Sequence, residues 1–340
     1  MTVTRFNYVR HDGKGSWDIS ELVSEITWNT DINYSAGSLD FKALDYGGSW
    51  KAHGGDYIDF QWNNQPVFKG RTFRETIDGH QTFSVLAYDN TRYLKNEDII
   101  VFPANSAQER FQTIMQRLNL PYKSVGSTTR KLPELVCDGN TYFDMLKQSF
   151  ELVYSQTAGS LWGREQFFVW DNYGVVELRA VDYNTRTDIL FKDASSVSDW
   201  SFERSYDDSY NVVKVLWESD DEKKKQRKIF TAQDKNPNAA ENFINRYGTL
   251  QKIEKANDNK ANDAQLQAQA EAKLSELLQE TREFSFTALG DIRIRAGSVA
   301  WFQSDALAGI GLTGNQRFVA ESVSHKFGTE WTMQVKGRFL

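Results

Sequence analysis

A chain of 340 residues, 40% apolar and 25% charged, is long enough for two or three domains with their own cores and has an ordinary globular composition. Its 40 basic and 46 acidic side chains give a net charge of −6, without the cationic footprint of a dedicated nucleic-acid binder, though a protein that encloses a passage for DNA is not excluded. The single Cys137 excludes an internal disulfide and a CxxC zinc site, which points to synthesis in a reducing compartment.

Ten Trp, 14 Tyr and 22 Phe beside only five Pro lean the chain toward β structure, because aromatic side chains suit half-buried pleated surfaces. The first ninety or so residues read as short strands and turns. Leu22, Val23, Ile26 and Trp28 begin one strand, and Tyr57-Ile58-Asp59-Phe60-Gln61-Trp62 alternates with period two, Ile58, Phe60 and Trp62 on one face. The turn Asn63-Asn64-Gln65-Pro66 leads to Val67-Phe68, and Ile77-Asp78-Gly79-His80 leads to the strand Thr82–Ala87. Strands this short and this regularly spaced predict a sandwich or barrel.

Near Asn96 the period changes. Ser106 with Glu109 forms a capping box for a helix whose stripe is Phe111, Met115 and Leu118, ended by Pro121. A second helix is capped at Asn140 and buries Phe143, Leu146, Phe150 and Val153. Phe167–Trp170, the turn Asp171-Asn172-Tyr173-Gly174 and Val175–Leu178 form a hairpin. Helix, helix and hairpin make a small α/β domain over about residues 95–196. Strands resume at Val212–Trp217. Asp220 to Lys228 reads as a charged hairpin tip, and about 232–263 as a long polar surface excursion. A third helix, about 263–280, carries Leu266, Ala270, Leu274, Leu277 and Leu278, and strands then continue to Leu340.

A weak internal echo joins the two ends. Gly55-Asp56-Tyr57-Ile58-Asp59-Phe60 parallels Gly297-Ser298-Val299-Ala300-Trp301-Phe302, and in each case two further strands follow. Two readings stay open, a true duplication and a pattern common to any two all-β domains.

No constellation for chemistry is visible. Gly309, Gly311 and Gly314 have dinucleotide-loop spacing, but a strand pattern follows where that motif requires a helix. His11, His53, His80 and His325 have no partner at metal-ligand spacing. Asp207 and Asp208 are adjacent, and on an extended chain they point to opposite faces. Cys137 has no His nearby in sequence, and there is no Gly-x-Ser-x-Gly elbow. No catalytic, cofactor-binding or metal-ligating residue is nominated. No run approaches the roughly 18 to 20 apolar residues of a membrane span. Met1 to Arg10 lacks an apolar signal core.

Several stretches, in order, resemble the baseplate hub family of contractile phage tails, in particular the XkdQ-type hub of defective, bacteriocin-like prophages. Leu22–Trp28 with Ala36-Gly37-Ser38-Leu39-Asp40-Phe41 is similar to the family's first hairpin. Gly55-Asp56-Tyr57-Ile58 with Val67-Phe68-Lys69-Gly70 resembles its next pair of strands, and Ala87-Tyr88-Asp89-Asn90-Thr91-Arg92-Tyr93-Leu94 its passage into the helical domain. Arg295-Ala296-Gly297-Ser298-Val299, Phe318–Phe327 and Trp331–Val335 resemble the second barrel.

The resemblance implies a β-dominated α+β chain with two tail-tube-like β-barrels, residues 1–94 and 197–340, bracketing an inserted α/β domain, 95–196. It implies a non-enzymatic hub whose three copies form a pseudo-sixfold ring between the hexameric tail tube and the trimeric central spike. Its partners would be its own copies, the tail tube protein, the spike, baseplate wedge proteins and the tape measure protein. Specific nucleic-acid binding and membrane insertion are not expected. Assembly in the bacterial cytoplasm and release by lysis follow for a phage tail or tailocin. The strand pattern running to Leu340 leaves no room for a fused cell-wall hydrolase. The channel is expected to be neutral or acidic. Two other readings remain: a β-rich carbohydrate-binding or cell-wall-degrading protein using its Trp residues as sugar platforms, and the equivalent hub of a non-contractile or type VI-like device.

Overall fold

Alternation of apolar and polar side chains builds the first half of the main sheet. The computed structural model describes residues 2–45, 50–157, 165–181, 185–193, 195–218, 226–256 and 262–340, and the chain is β-dominated. Strands β1 (Val3–Val9), β2 (Ser16–Asp18), β3 (Val23–Asp31), β4 (Ser38–Leu44), β5 (Tyr57–Trp62), β6 (Gln65–Ile77) and β7 (Thr82–Tyr88) lie in the order β3-β4-β7-β6-β5-β1-β2. Ile58, Phe60 and Trp62 are buried together, as the period of two requires, and join Phe6, Trp28 and Phe41 in one core. The rings of Phe6 and Phe41 are 4.7 Å apart, a geometry that adds about 0.5–1.5 kcal/mol beyond area burial. The turn into β6 is tighter than its four-residue reading. Asn63 and Asn64 alone make it, at φ 48° and 61°, and Gln65 already pairs with Trp62.

A 3₁₀ turn at Asn90–Lys95, capped by Asp89, leads into β8 (Glu97–Phe102), α1 (Ala107–Leu118), β9 (Tyr122–Ser124), β10 (Leu135–Thr141), α2 (Tyr142–Gln156), β11 (Phe167–Asp171) and β12 (Val176–Ala180). The Ser106–Glu109 box caps α1: the Glu109 amide donates to Ser106 Oγ at 3.2 Å and the Ser106 amide to Glu109 Oε2 at 2.7 Å. Its buried face holds Phe111, Ile114 and Met115, while Leu118 is only partly covered. The cap of α2 is Thr141 rather than Asn140, because Asp144 at its third position closes a capping box with Thr141 and Asn140 still pairs within β10. Both helices share one core with the hairpin strands β11 and β12.

Strands β13 (Arg186–Lys192) and β14 (Val197–Ser205) return to the main sheet. Residues 202–283 form a second compact unit of their own. There β15 (Val212–Glu218), β16 (Arg227–Gln233) and β17 (Gln251–Lys255) lie in the order β16-β15-β17, with α3 (Phe243–Tyr247) on the way to β17. Helix α4 (Asp263–Leu277) packs Leu266, Ala270 and Leu274 on Val213, Val215 and Ala232. The stretch read as a polar excursion thus holds a strand, β17, parallel to β15. Its one apolar residue, Ile253, is exposed, so alternation could not reveal it. Residues 220–225 of the charged tip lie outside the described residues.

The first unit, residues 1–201 and 284–340, is completed by β18 (Thr281–Leu289), β19 (Val299–Gln303), the short α5 (Asp305–Ala308), β20 (Gln316–Phe327) and β21 (Thr332–Phe339). These strands run β14-β18-β21-β20-β19, the same order as β3-β4-β7-β6-β5. The match extends to single bonds. Gly55 and Gly297 share φ near 90°, at 88° and 90°, a conformation open to glycine at little cost. The Gly55 amide donates to Thr72 O at 2.8 Å and the Thr72 amide to Asp56 O at 2.9 Å. The Gly297 amide donates to Ala320 O at 2.7 Å and the Ala320 amide to Ser298 O at 2.9 Å. A register shift follows Thr72 in one set and Ala320 in the other.

The two sets join through β20 and β3, paired from Ser322↔Asp31 to Phe327↔Ile26. The result is a continuous run, β14-β18-β21-β20-β3-β4-β7-β6, inside one 13-stranded sheet. Among the described residues the hydrogen-bonded order is open, so neither strand set closes on itself as a cylinder. The second set has its own aromatic core, in which Phe284 lies 4.6 Å from Phe302 and 4.5 Å from Phe339, ring to ring. Truncating Phe284 to Ala is expected to cost about 3–5 kcal/mol, read as a lower denaturant midpoint at unchanged slope.

Candidate assembly site

The outward face of the eight-strand run is built from the polar half of each alternation. It presents Ser285 and Thr287 from β18, Gln334 and Lys336 from β21, Ser322 and Ser324 from β20, Thr27 and Asn29 from β3, Asp40 and Lys42 from β4, and Ser84 from β7. Hydroxyls and amides dominate, and the charges are mixed in sign. Lys42 Nζ lies 2.8 Å from Glu25, and Ser201 Oγ 2.8 Å from Ser285 Oγ. A groove of about 280 Å³ crosses this face between Glu25, Asp40, Arg74 and Ser84. Burial pushes the Asp40 carboxyl up, partly offset by Arg74.

Behind the sheet a charged junction ties both strand sets to the middle elements. Asp89 ends β7's run, Asp171 closes β11, and Arg295 precedes β19. The Arg295 Nη2 donates to Asp171 O at 2.6 Å, and its guanidinium lies 4.2 Å from the Trp170 ring and 5.2 Å from the Trp28 ring. The Asn90 amide donates to Asp171 Oδ2 at 3.3 Å and the Thr91 amide to Asp89 Oδ1 at 2.9 Å. Burial pushes Asp89 up to about 8, with the neighbouring Asp171 adding to it. It pushes Asp171 up to about 6 against the opposing hydrogen bond from Gly174 and charge of Arg295. Burial also lowers Arg295 to about 10, while both carboxyls pull it back. A cavity of about 10 Å³ sits among these groups, about the space of one water. Gly37 borders it, and a Cβ there would fall 2.1 Å from Asp89 Oδ2. Gly37→Ala is therefore expected to lose about 1–3 kcal/mol in thermal or denaturant unfolding.

The residues singled out in the sequence are not gathered into a reactive centre. Gly309 ends the short α5, Gly311 and Gly314 sit at φ 86° and 71°, and β20 follows. His325 is buried, stacked 5.3 Å from Trp28, with Nε2 2.7 Å from Ile294 O, and burial lowers it to about 4. His11 Nδ1 lies 3.0 Å from the buried Asp56, and His80 is in an exposed turn. Asp207 and Asp208 occupy an exposed turn, and Cys137 is buried in β10 with its thiol pushed up by burial. Among the described residues no group of three or more His, Cys, Asp or Glu is placed to hold a metal, and no helix is long and apolar enough to cross a membrane. The Asp89–Asp171–Arg295 junction was not nominated from sequence, since its members lie more than eighty residues apart and only the fold brings them together.

The fold is one shared with solved phage tail proteins. The tail protein of Neisseria meningitidis MC58 matches over 99% of this chain and 96% of its own, with a TM-score of 0.69 at 12% identity. The Escherichia coli c3393 protein, a type VI secretion component described as structurally similar to the T4 bacteriophage tail proteins gp27 and gp5, matches 94% of this chain and 73% of its own at a TM-score of 0.53 and 7% identity. The chain belongs to the YqbQ-like family, whose model matches residues 26–336. The phage-like element PBSX protein XkdQ of Bacillus subtilis is 27% identical over 83% of this chain and 80% of its own length.

Proposed function

We propose that this chain is the baseplate hub of a phage-type contractile tail, joining the hexameric tail tube to the trimeric spike. One observation carries the reading: a single chain holds two strand sets of the same order, joined edge to edge in one sheet. A tube of sixfold rings meets a threefold spike only through a component bearing both symmetries. Three chains with two similar barrel-like sets each supply six units on a threefold axis. The outward face of the eight-strand run lines the channel. Its hydroxyls, amides and mixed charges let a long polymer slide, where a basic wall would hold DNA. The tail tube protein, the spike, wedge proteins and the tape measure protein are its neighbours. Assembly takes place in the cytoplasm of a bacterium carrying a prophage or tailocin cluster, and lysis releases the particle. The same arrangement serves a non-contractile tail, and particle morphology separates the two.

The hub acts without catalysis. Purified protein should give no clearing zone in peptidoglycan zymography, and a zone abolished by a carboxylate substitution would overturn this. Mass in solution or particle reconstruction should give three copies around an open channel, with an interface above about 2,000 Å². Six copies in the hub layer, or a lumen dominated by Lys and Arg, would contradict the model.

A further inference from the structure

The three-stranded sheet of the second unit is covered on one face only. Helix α4 packs on Val213, Val215 and Ala232, from β15 and β16. Side chains alternate along a strand, so Lys214, Leu216 and Glu218 of β15 stand on the other face. There the pairing sets Ile229 of β16 beside Leu216 and Thr231 beside Lys214. In β17 it sets Ile253 beside Lys214 and Lys255 beside Leu216. Ile229 and Ile253 are each 62% exposed, and Leu216, on the middle strand, is half-buried. One aliphatic residue at a surface is ordinary, but an apolar row crossing every strand of a sheet marks an interaction surface.

Strand β17 is oriented against its own composition. Ile253 is its one apolar residue and faces outward, whereas Lys252 and Glu254, 3.5 Å apart, take the half-buried places on the side of the sheet that carries α4. A register shifted by one residue would bury Ile253 and release both charges. Strands β15 and β17 are also parallel, and parallel pairing is found chiefly in sheets covered on both faces. The charges on the open face are one-sided. Glu218, the only carboxylate the three strands place there, lies 2.6 Å from Arg227 and is neutralised by it. Lys214 and Lys255 have no acidic partner among the described residues, and they stand on either side of the line from Leu216 to Ile253.

We propose that this open face is the docking site of an acidic amphipathic helix from another component of the tail. The face follows from the sheet itself; the tail as the source of the helix rests on the hub reading. From Ile229 to Ile253 the row spans two strand spacings and one step of two residues, about 12 Å, which is about two turns of helix. Apolar residues at i, i+4 and i+7 cover Ile229, Leu216 and Ile253, and Asp or Glu flanking that stripe meet Lys214 and Lys255. A basic helix would bring like charge against both lysines. The docked helix gives the sheet its second layer, opposite α4.

The test uses the full chain, whose single thiol, Cys137, is buried, so that Ile253→Cys introduces one reactive surface thiol. In the free chain it should react with a maleimide as fast as Ser275→Cys, on the exposed side of α4. In assembled tails Ile253→Cys should react at least about tenfold more slowly, with Ser275→Cys unchanged. Adding Lys214→Glu and Lys255→Glu should abolish that protection and leave melting of the free chain unaltered. Ile229→p-benzoylphenylalanine, irradiated in tails, should cross-link to a helical segment carrying Asp or Glu beside an apolar stripe. Protection already present in the free chain would mean that the chain covers this face itself, and would overturn the proposal. So would an unprotected Ile253→Cys in tails, equal protection of Ser275→Cys, protection that survives the charge reversal, or a cross-link to a basic segment or to a second copy of this chain. Absence of the chain from purified tails would overturn the hub reading instead, and with it the source of the helix.

Discussion

Arg295→Met should unfold at a markedly lower denaturant midpoint, with a loss of about 3–5 kcal/mol, because removing one partner strands buried charge instead of merely deleting a bond. The half-buried guanidinium donates to Asp171 O and lies 5.2 Å from the Trp28 ring and 4.2 Å from the Trp170 ring, beside the buried carboxyls of Asp89 and Asp171. Arg295→Lys keeps the charge but loses the planar contact with both rings, so it should fall between the two. Equilibrium denaturation by fluorescence is suited to this, since Trp28 and Trp170 report directly. A loss below about 1 kcal/mol, the worth of an exposed ion pair, would show that the junction is solvated in solution.

The second large effect is on pH dependence. Asp89 and Asp171 hold their protons to higher pH in the folded chain than the ordinary 3.8, up to about 8 and about 6. The folded state therefore binds more protons than the unfolded one across this window. Their contribution to stability should be full below about pH 3.8, fall as pH rises, and level off above about 8. Arg295 is protonated in both states throughout and adds no slope here. Asp89→Asn replaces the proton-dependent group with an amide that can still accept from Thr91. Its stability relative to the parent should rise with pH, by at most about 1.4 kcal/mol per unit. Urea midpoints taken from pH 5 to 8.5 measure this; parallel profiles for parent and variant would mean that Asp89 is ionised throughout.

The sequence displayed most clearly what depends on near neighbours. The alternation of Ile58, Phe60 and Trp62, the Ser106–Glu109 box and the stripe of α4 are local patterns, and each appears in the fold. The cap of α2 moved one residue because Asn140 and Thr141 are both good cap residues, and only Asp144 chooses between them. Strand β17 escaped because a strand whose apolar residue faces outward has no buried face to mark it. The echo at Gly55 and Gly297 was visible as six residues, but the shared strand order was not, since it depends on which edges meet across the sheet. The charged junction was hidden for the same reason. Each member looks like an ordinary loop residue until Asp89, Asp171 and Arg295 are brought together.

The β20–β3 seam also sets when this molecule can fold. Thr30 Oγ1 donates to Val323 O across 293 residues of chain, and the N-terminal aromatic core counts Phe327 and Trp331 among its members. The Trp62 ring packs tilted against Phe327 at 5.0 Å and edge-on against Trp331 at 5.8 Å. During synthesis, at roughly 5–20 residues per second, the first strands therefore leave the ribosome long before their last core residues exist. Contacts of such long separation form late and slowly. The N-terminal set must wait, partly open, until β20 and β21 have been made and have left the ribosome. A truncated product would expose an unfinished aromatic core and a bare edge at β3, and could not be mistaken for a finished subunit by whatever it assembles with.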